Sequence, residues 1–221
     1  MLRCYKWKAA ASDGIEKEIG GRKTMAYEVV ELECPGCGSA ISVDTKQCPV
    51  CFRDIVITTF NSVASMTPLE LKKSAHCYEK ALSACPDNEK LNMSIAFCYL
   101  KLNFYEKALP YFDKAAEHNF DNSEIYFYAA ICLLKGRKAF RLVHAEIDRV
   151  GEYLHAAVMI EPKGIYYYFW AYIKYDYYFR KHLRTSPDYR ECLQLAKKAG
   201  LSQTDVKQFY DILGVPKPES L

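Results

Sequence analysis

Residues 95–122 read IAFCYLKLNFYEKALPYFDKAAEHNFDN, and the fold is decided in this stretch. Ala96, Ala108 and Ala115 stand at helical spacing and are small enough to let two helices approach, while Tyr99 and Phe112 are suited to fill the space between them. Asn103 marks the turn between the two helices, and Asp121-Asn122 marks the end of the pair. Upstream, Thr67-Pro68-Leu69-Glu70 combines an N-cap, a proline at the first helical position and a capping-box glutamate. A helix is therefore expected from there to about Cys85, ahead of Pro86. The end of that helix, Tyr78 to Leu82 followed by Pro86 and Asn88, recurs with variations further along the chain.

Such a recurrence marks a stacked array, and the pattern resembles the tetratricopeptide repeat, a helix–turn–helix unit of about 34 residues. Phe120 departs from the family, which usually has proline there, and Asn103 stands at the usual turn glycine. Another unit opens at Ser123, with Ala129-Ala130, Leu133 and a stop at Gly136. Its second helix is expected to be extended by about eight residues, including Lys135, Arg137, Lys138 and Arg141, before Tyr153 to Ala157 restore the pattern. Residues 165–182 supply the next first helix. Ser186-Pro187-Asp188 caps a helix running to Ala199-Gly200, and Ser202 with Asp205 caps a last one ending at Leu213-Gly214. The fold class expected is mainly α: a tetratricopeptide-repeat-like (TPR-like) helical-hairpin array of about eight helices over residues 67–221. The resemblance implies a non-enzymatic adaptor whose concave face, lined by first helices, holds a partner protein or peptide.

A small β zinc ribbon is expected ahead of the array, over residues 25–60, with 61–66 as linker. Cys34-Pro-Gly-Cys37 and Cys48-Pro-Val-Cys51 are two CxxC pairs separated by ten residues. Two residues between thiolates let a tight turn aim both sulfurs at one ion, and two such knuckles supply the four ligands of a closed structural Zn²⁺ site. Gly38 suits the positive-φ turn after the first knuckle, whereas Phe52 stands at that place in the second. Residues 27–32, 40–43 and 54–59 read as strands. So short a module cannot bury enough apolar surface to fold alone, and the metal must stabilise it. A redox dithiol explains one pair but not two at this spacing, and four thiolates leave no open position for catalysis.

The charge is unevenly placed. The chain has 221 residues, 30 Lys+Arg and 27 Asp+Glu, and residues 1–24 hold six of the basic and three of the acidic groups, so the remainder is neutral. These first residues read as a disordered leader, with Met25 as candidate native start: Gly20-Gly21 lies where a bacterial ribosome-binding site would be encoded. Residues 25–60 carry Lys46 and Arg53 against five acidic groups, a net of −3, the wrong sign for a ribbon that reads DNA. No apolar run is long enough to span a membrane and no secretory signal opens the chain. Ten cysteines then point to a reducing compartment, and the expected location is the cytoplasm of a bacterium.

Residues 166–179 contain ten aromatics. On a regular helix Tyr168, Tyr172, Tyr175 and Phe179 share one face, and Tyr167, Trp170, Lys174 and Tyr178 another. Three readings follow. The first is a central core helix whose tyrosine hydroxyls reach the rim. The second is a partner groove, with Tyr168, Tyr172, Lys174, Tyr175 and Arg180 as contacts, in which Lys174, Arg180, Lys181 and Arg184 favour acidic or C-terminal carboxylate ligands. It predicts that Tyr172→Ala with Tyr175→Ala leaves the chain helical but abolishes capture of the partner. The third is nucleic-acid binding by the aromatic-basic helix 165–184, as part of a regulatory factor. No catalytic residue is assigned: the five histidines show no metalloprotease spacing, and no nucleophile elbow or dinucleotide fingerprint occurs.

Overall fold

A computed structural model describes residues 31–42 and 45–221. The leader 1–24, the candidate start Met25 and residues 27–30 of the strand expected over 27–32 lie outside the described residues. A short hairpin comes first: β1 (Glu31–Glu33) pairs antiparallel with β2 (Ala40–Ser42), Leu32 opposite Ile41. Nine α-helices follow among the described residues. They are α1 (Asn61–Ala64), α2 (Pro68–Leu82), α3 (Glu89–Lys101), α4 (Tyr105–His118), α5 (Ser123–Leu134), α6 (His144–Ile160), α7 (Gly164–Ile173), α8 (Tyr189–Lys198) and α9 (Gln203–Leu213). The chain is thus mainly α, a succession of helical hairpins behind a small β hairpin.

The helix starts follow from local hydrogen bonding. In α2, Thr67 Oγ1 accepts the Glu70 N–H and Glu70 Oε2 accepts the Thr67 N–H at 2.9 Å, with Pro68 at the first position. Asp188 and Glu191 exchange the same pair of bonds ahead of α8, and Ser202 and Asp205 ahead of α9, which Gly214 ends at φ +69°. The turn after α3 needs a left-handed residue, and Asn103 takes it at φ +60°.

Consecutive helices pack on one another from α2 through α8. Ala96, Ala108 and Ala115 are fully buried where α3 meets α4, and there Phe97 meets Phe112 edge-on at 5.5 Å. Tyr99 does not fill that gap as expected. It is half-buried at the edge, stacked on Tyr111 at 6.0 Å, and both hydroxyls donate to Glu79 Oε1.

Two further expectations change. The second helix of the Ser123 unit is not extended through 135–143. Lys135 (φ +51°) and Gly136 (φ +67°) are both left-handed and stop α5, and residues 139–141 form one 3-10 turn before α6 begins. Nor do residues 54–59 form a strand. Apart from one bridge between Gln47 and Asp54, their backbone is held by helix side chains: the Ile55 carbonyl accepts the Tyr78 hydroxyl at 2.7 Å, and the Ile57 N–H donates to Ser94 Oγ at 3.0 Å. A buried segment must satisfy its peptide groups, and here the helices do what a strand partner would otherwise do.

The face made by α3, α5 and α7 is covered by the chain itself. At one end α1 packs on α3, Val63 is buried, and Phe60 stacks on Tyr128 of α5 at 6.0 Å. At the other, α9 lies against α5 and α7, with Phe209 ring centroids 4.8 Å from Phe169, 6.0 Å from Tyr172 and 6.3 Å from Phe127. Gln208 Nε2 donates to Asn61 Oδ1 at 2.8 Å and ties the two covers together. The concave face expected from the resemblance is therefore partly covered by the chain's own α1 and α9, and between them a cleft of about 370 Å³ remains, lined by Phe60, Asn61, Phe127, Tyr166, Gln208 and Phe209. Residues 61–66, read as a linker, carry α1 and belong to that cover.

Candidate metal centre and the aromatic helix

Each CxxC turn is built the same way. The Cys34 carbonyl accepts the Gly38 N–H at 2.8 Å, and the Cys48 carbonyl accepts the Phe52 N–H at 2.9 Å. Gly38 has φ +81° and Phe52 φ +58°, so the second knuckle reaches the same geometry with a phenylalanine in the left-handed region. The two turns bring Cys34 Sγ to 3.6 Å from Cys51 Sγ, and Cys37 Sγ to 3.6 Å from Cys48 Sγ, with all four sulfurs within 4.8 Å of one another. A tetrahedral ion with bonds of about 2.3 Å needs its sulfurs about 3.8 Å apart, so the donor set fits a structural metal.

Two of the thiols are shifted in opposite directions. The Ser39 hydroxyl, 3.2 Å from Cys37 Sγ, and the Ser39 backbone bring the Cys37 thiol down to about 6. At Cys51 the Arg53 backbone bond lowers the thiol, but desolvation and the three neighbouring sulfurs outweigh it and push the group up to about 11. Four thiolates this close repel one another, and a divalent cation removes the conflict.

The module is fastened to the helices. Besides the Tyr78 and Ser94 bonds, Lys80 Nζ lies 2.6 Å from Glu33 Oε1 and Arg53 lies 3.1 Å from Glu70 Oε1. The two ion pairs are exposed and contribute little. Ser94 contributes more because it is buried in α3, where its hydroxyl also donates to the Lys90 carbonyl at 2.7 Å. Ser94→Ala is expected to strand the Ile57 N–H and cost about 1–3 kcal/mol. Urea denaturation measures this, and amide exchange at Ile57 should accelerate with it.

The structure separates the five residues expected to meet a partner. Tyr168 and Tyr172, at 2% and 1% exposure, are core residues, and their place in a docking groove is corrected. Tyr168 shares a hydrogen bond with Tyr210 across α9 at 3.2 Å, and the Tyr172 hydroxyl accepts the Ala139 N–H at 3.3 Å. Burial pushes both phenols up. Tyr175 leaves this face and its hydroxyl donates to Ser220 Oγ at 3.0 Å. Lys174 turns toward the following loop, donating to Thr185 Oγ1 at 2.6 Å over the Tyr178 ring, and desolvation lowers its pKa. Arg180 is exposed and pairs at 2.6 Å with the buried Asp176. A cleft of about 290 Å³ gathers Tyr172, Tyr175 and Arg180 with Lys138 and Lys217. The burial of Tyr166, Tyr168, Phe169 and Tyr172 also withdraws those rings from any base-stacking platform.

Phe140 and the α9 aromatics escaped the sequence reading. Phe140 carried one available signal, a ring inside the basic run 135–141. Nothing local pairs α9 with α7.

Fold and site together define a helical-hairpin array with a docked four-cysteine cluster whose geometry is compatible with a structural metal. Solved structures similar to the chain include MamA of MSR-1, with 18% identity, 67% of this chain and 74% of that chain covered, and a TM-score of 0.45. MamA 41-end from Desulfovibrio magneticus RS-1 is similar with 14% identity, 69% and 73% coverage and a TM-score of 0.47. No protein-family model and no curated protein matches the chain. Among the described residues no helix is long and apolar enough to cross a membrane.

Proposed function

We propose that the chain is a non-enzymatic protein–protein interaction scaffold of the bacterial cytoplasm. In this reading a ribbon over residues 25–60 holds Zn²⁺ through Cys34, Cys37, Cys48 and Cys51. Residues 61–66 connect it to a TPR-like array over 67–221, and a partner protein or peptide docks on the outer surface near Tyr175, Lys174 and Arg180. One observation carries it: the four-sulfur cluster is bonded onto an array whose inner face is largely covered by the chain's own α1 and α9. A closed tetrathiolate site stabilises a shape and leaves no position for substrate. A body filled by its own aromatics presents surface instead of a reaction centre.

Affinity capture from the source organism tests this, with the wild type beside Cys34→Ser/Cys37→Ser and with metal content measured on each. The expected result is one zinc per wild-type chain and a stoichiometric protein partner that the variant loses. A wild type without metal, or a turnover by the purified chain that depends on one of its side chains, would overturn it.

A further inference from the structure

We propose that the surface where the 139–143 loop meets the turn after residue 179 docks an acidic peptide segment with apolar anchors, supplied by the partner. This rests on the scaffold reading above and names the chemistry that the partner must carry. The 3-10 turn 139–141 packs against the π-helical turn Lys174–Phe179, and four aligned features come together there.

Cations are held over rings. The Arg180 guanidinium lies 4.6 Å from the Phe140 centroid, and Lys181 Nζ lies 5.2 Å from Phe140 and 3.8 Å from Tyr177. Lys181 Nζ also donates to the Leu142 carbonyl at 3.4 Å, which fixes it beside Val143. Next, the charge is unneutralised. Lys135 and Arg137 are paired with Glu106 and Glu146, but among the described residues Lys138, Arg141, Lys181 and Arg184 form no ion pair. Of the carboxylates beside them, Asp176 is buried and already taken by Arg180 and by the Phe140 N–H at 2.8 Å, and Glu219 lines the cleft with Lys138 and Lys217. Across the loop, His144 meets Asp148 at 3.7 Å and Tyr177 at 3.3 Å, so that acid is engaged as well.

Apolar side chains stand among these cations. Val143 is 64% exposed, and Phe140 and Leu183 are exposed beside it in the chain segments just described. The fourth feature is a cleft of about 290 Å³ whose lining sets Lys138, Arg180 and Lys217 against Asp176 and Glu219, and which is wide enough for a side chain. Outside the leader the chain as a whole is neutral, so the positive field is local and selects an anionic partner. Aliphatic Val143 and Leu183 offer nothing for a base to stack on, and the Phe140 face is covered by a guanidinium, which favours a peptide over a nucleic acid.

The test uses the full metal-loaded chain and a fluorescein-labelled twelve-residue peptide alternating Asp/Glu with Leu and Phe. Its Asn/Gln counterpart, an oligothymidine and phosphatidylserine vesicles serve as the other probes. Anisotropy should give binding of the acidic peptide roughly tenfold tighter than its neutral counterpart, weakening with salt. Lys181→Glu with Arg184→Glu should weaken it roughly tenfold, and Lys138→Glu with Arg141→Glu, a pair that touches no ring, should do the same. Lys72→Glu, exposed on α2, should change nothing. Equal binding of the acidic and neutral peptides overturns the proposal, as does binding of the oligothymidine or vesicles, lost in both reversed pairs, with the acidic peptide unbound. If the peptide fails while zinc and the captured partner persist, only this assignment falls. Loss of zinc or of any partner from the wild type strikes the scaffold reading itself.

Discussion

Replacing Cys48 with serine is expected to release the metal and open the segment from residue 31 to about residue 59 while the array from α2 onward stays helical. Cys34 and Cys48 are fully buried, and the hairpin they close has little else of its own: Leu32, Ile41, Ile55 and Ile57 are its buried aliphatics. A module this small sits near zero stability without its ion, and zinc bound by four thiolates supplies of order 10 kcal/mol. The expected readouts are zinc falling from one per chain to none, and rapid amide exchange at Cys34, Ile55 and Ile57. The far-UV helical signal should fall by less than about a twentieth, because the helix that directly follows this segment, α1, has only four residues. Chelation should reproduce the variant, and acid should as well, since protons compete with the ion for thiolate sulfur. Retained amide protection in a zinc-free Cys48→Ser protein would show that the helices alone hold the module.

The features legible in the sequence are those fixed within a few residues. Thr67 with Glu70, Asp188 with Glu191, and Ser202 with Asp205 announce their helices because each cap is a bond between neighbours. The two CxxC pairs announce their cluster for the same reason, and only the pairing of one turn with the other is long-range. The aromatic helix was less legible because its period changes. A regular helix places Tyr168, Tyr172, Tyr175 and Phe179 on one face, but from Lys174 to Phe179 the chain winds as a π-helix with more residues per turn. The face therefore rotates away. Asp176 and Tyr177 turn inward, while Phe179 is half-exposed. Which face is buried was also set elsewhere, by Phe209 and Tyr210 on α9, some 40 residues along the chain, a distance at which no local pattern operates.

That rotation makes two adjacent tyrosines behave oppositely, and Tyr172→Ala against Tyr175→Ala measures it. Tyr172 packs against Phe169 at 6.4 Å, Phe209 at 6.0 Å and Tyr210 at 5.9 Å, and its hydroxyl caps the Ala139 N–H that begins the 3-10 turn. Truncating it leaves a cavity and a stranded donor, an expected loss of about 3–5 kcal/mol and a melting temperature lower by roughly 10 °C. Tyr172→Phe keeps the ring and loses only the hydroxyl, so its cost should stay near 1–2 kcal/mol. Tyr175 is half-buried against Phe179 and Tyr189 and bonds Ser220 at the surface, so Tyr175→Ala should cost under about 1.5 kcal/mol. Denaturant melts of the three variants decide the matter, and equal costs for Tyr172→Ala and Tyr175→Ala would contradict the buried placement. The consequence for binding studies is direct. A double variant that removes both tyrosines loses capture by loosening the core, so Tyr175→Ala alone reports on whether this edge of the molecule touches a partner.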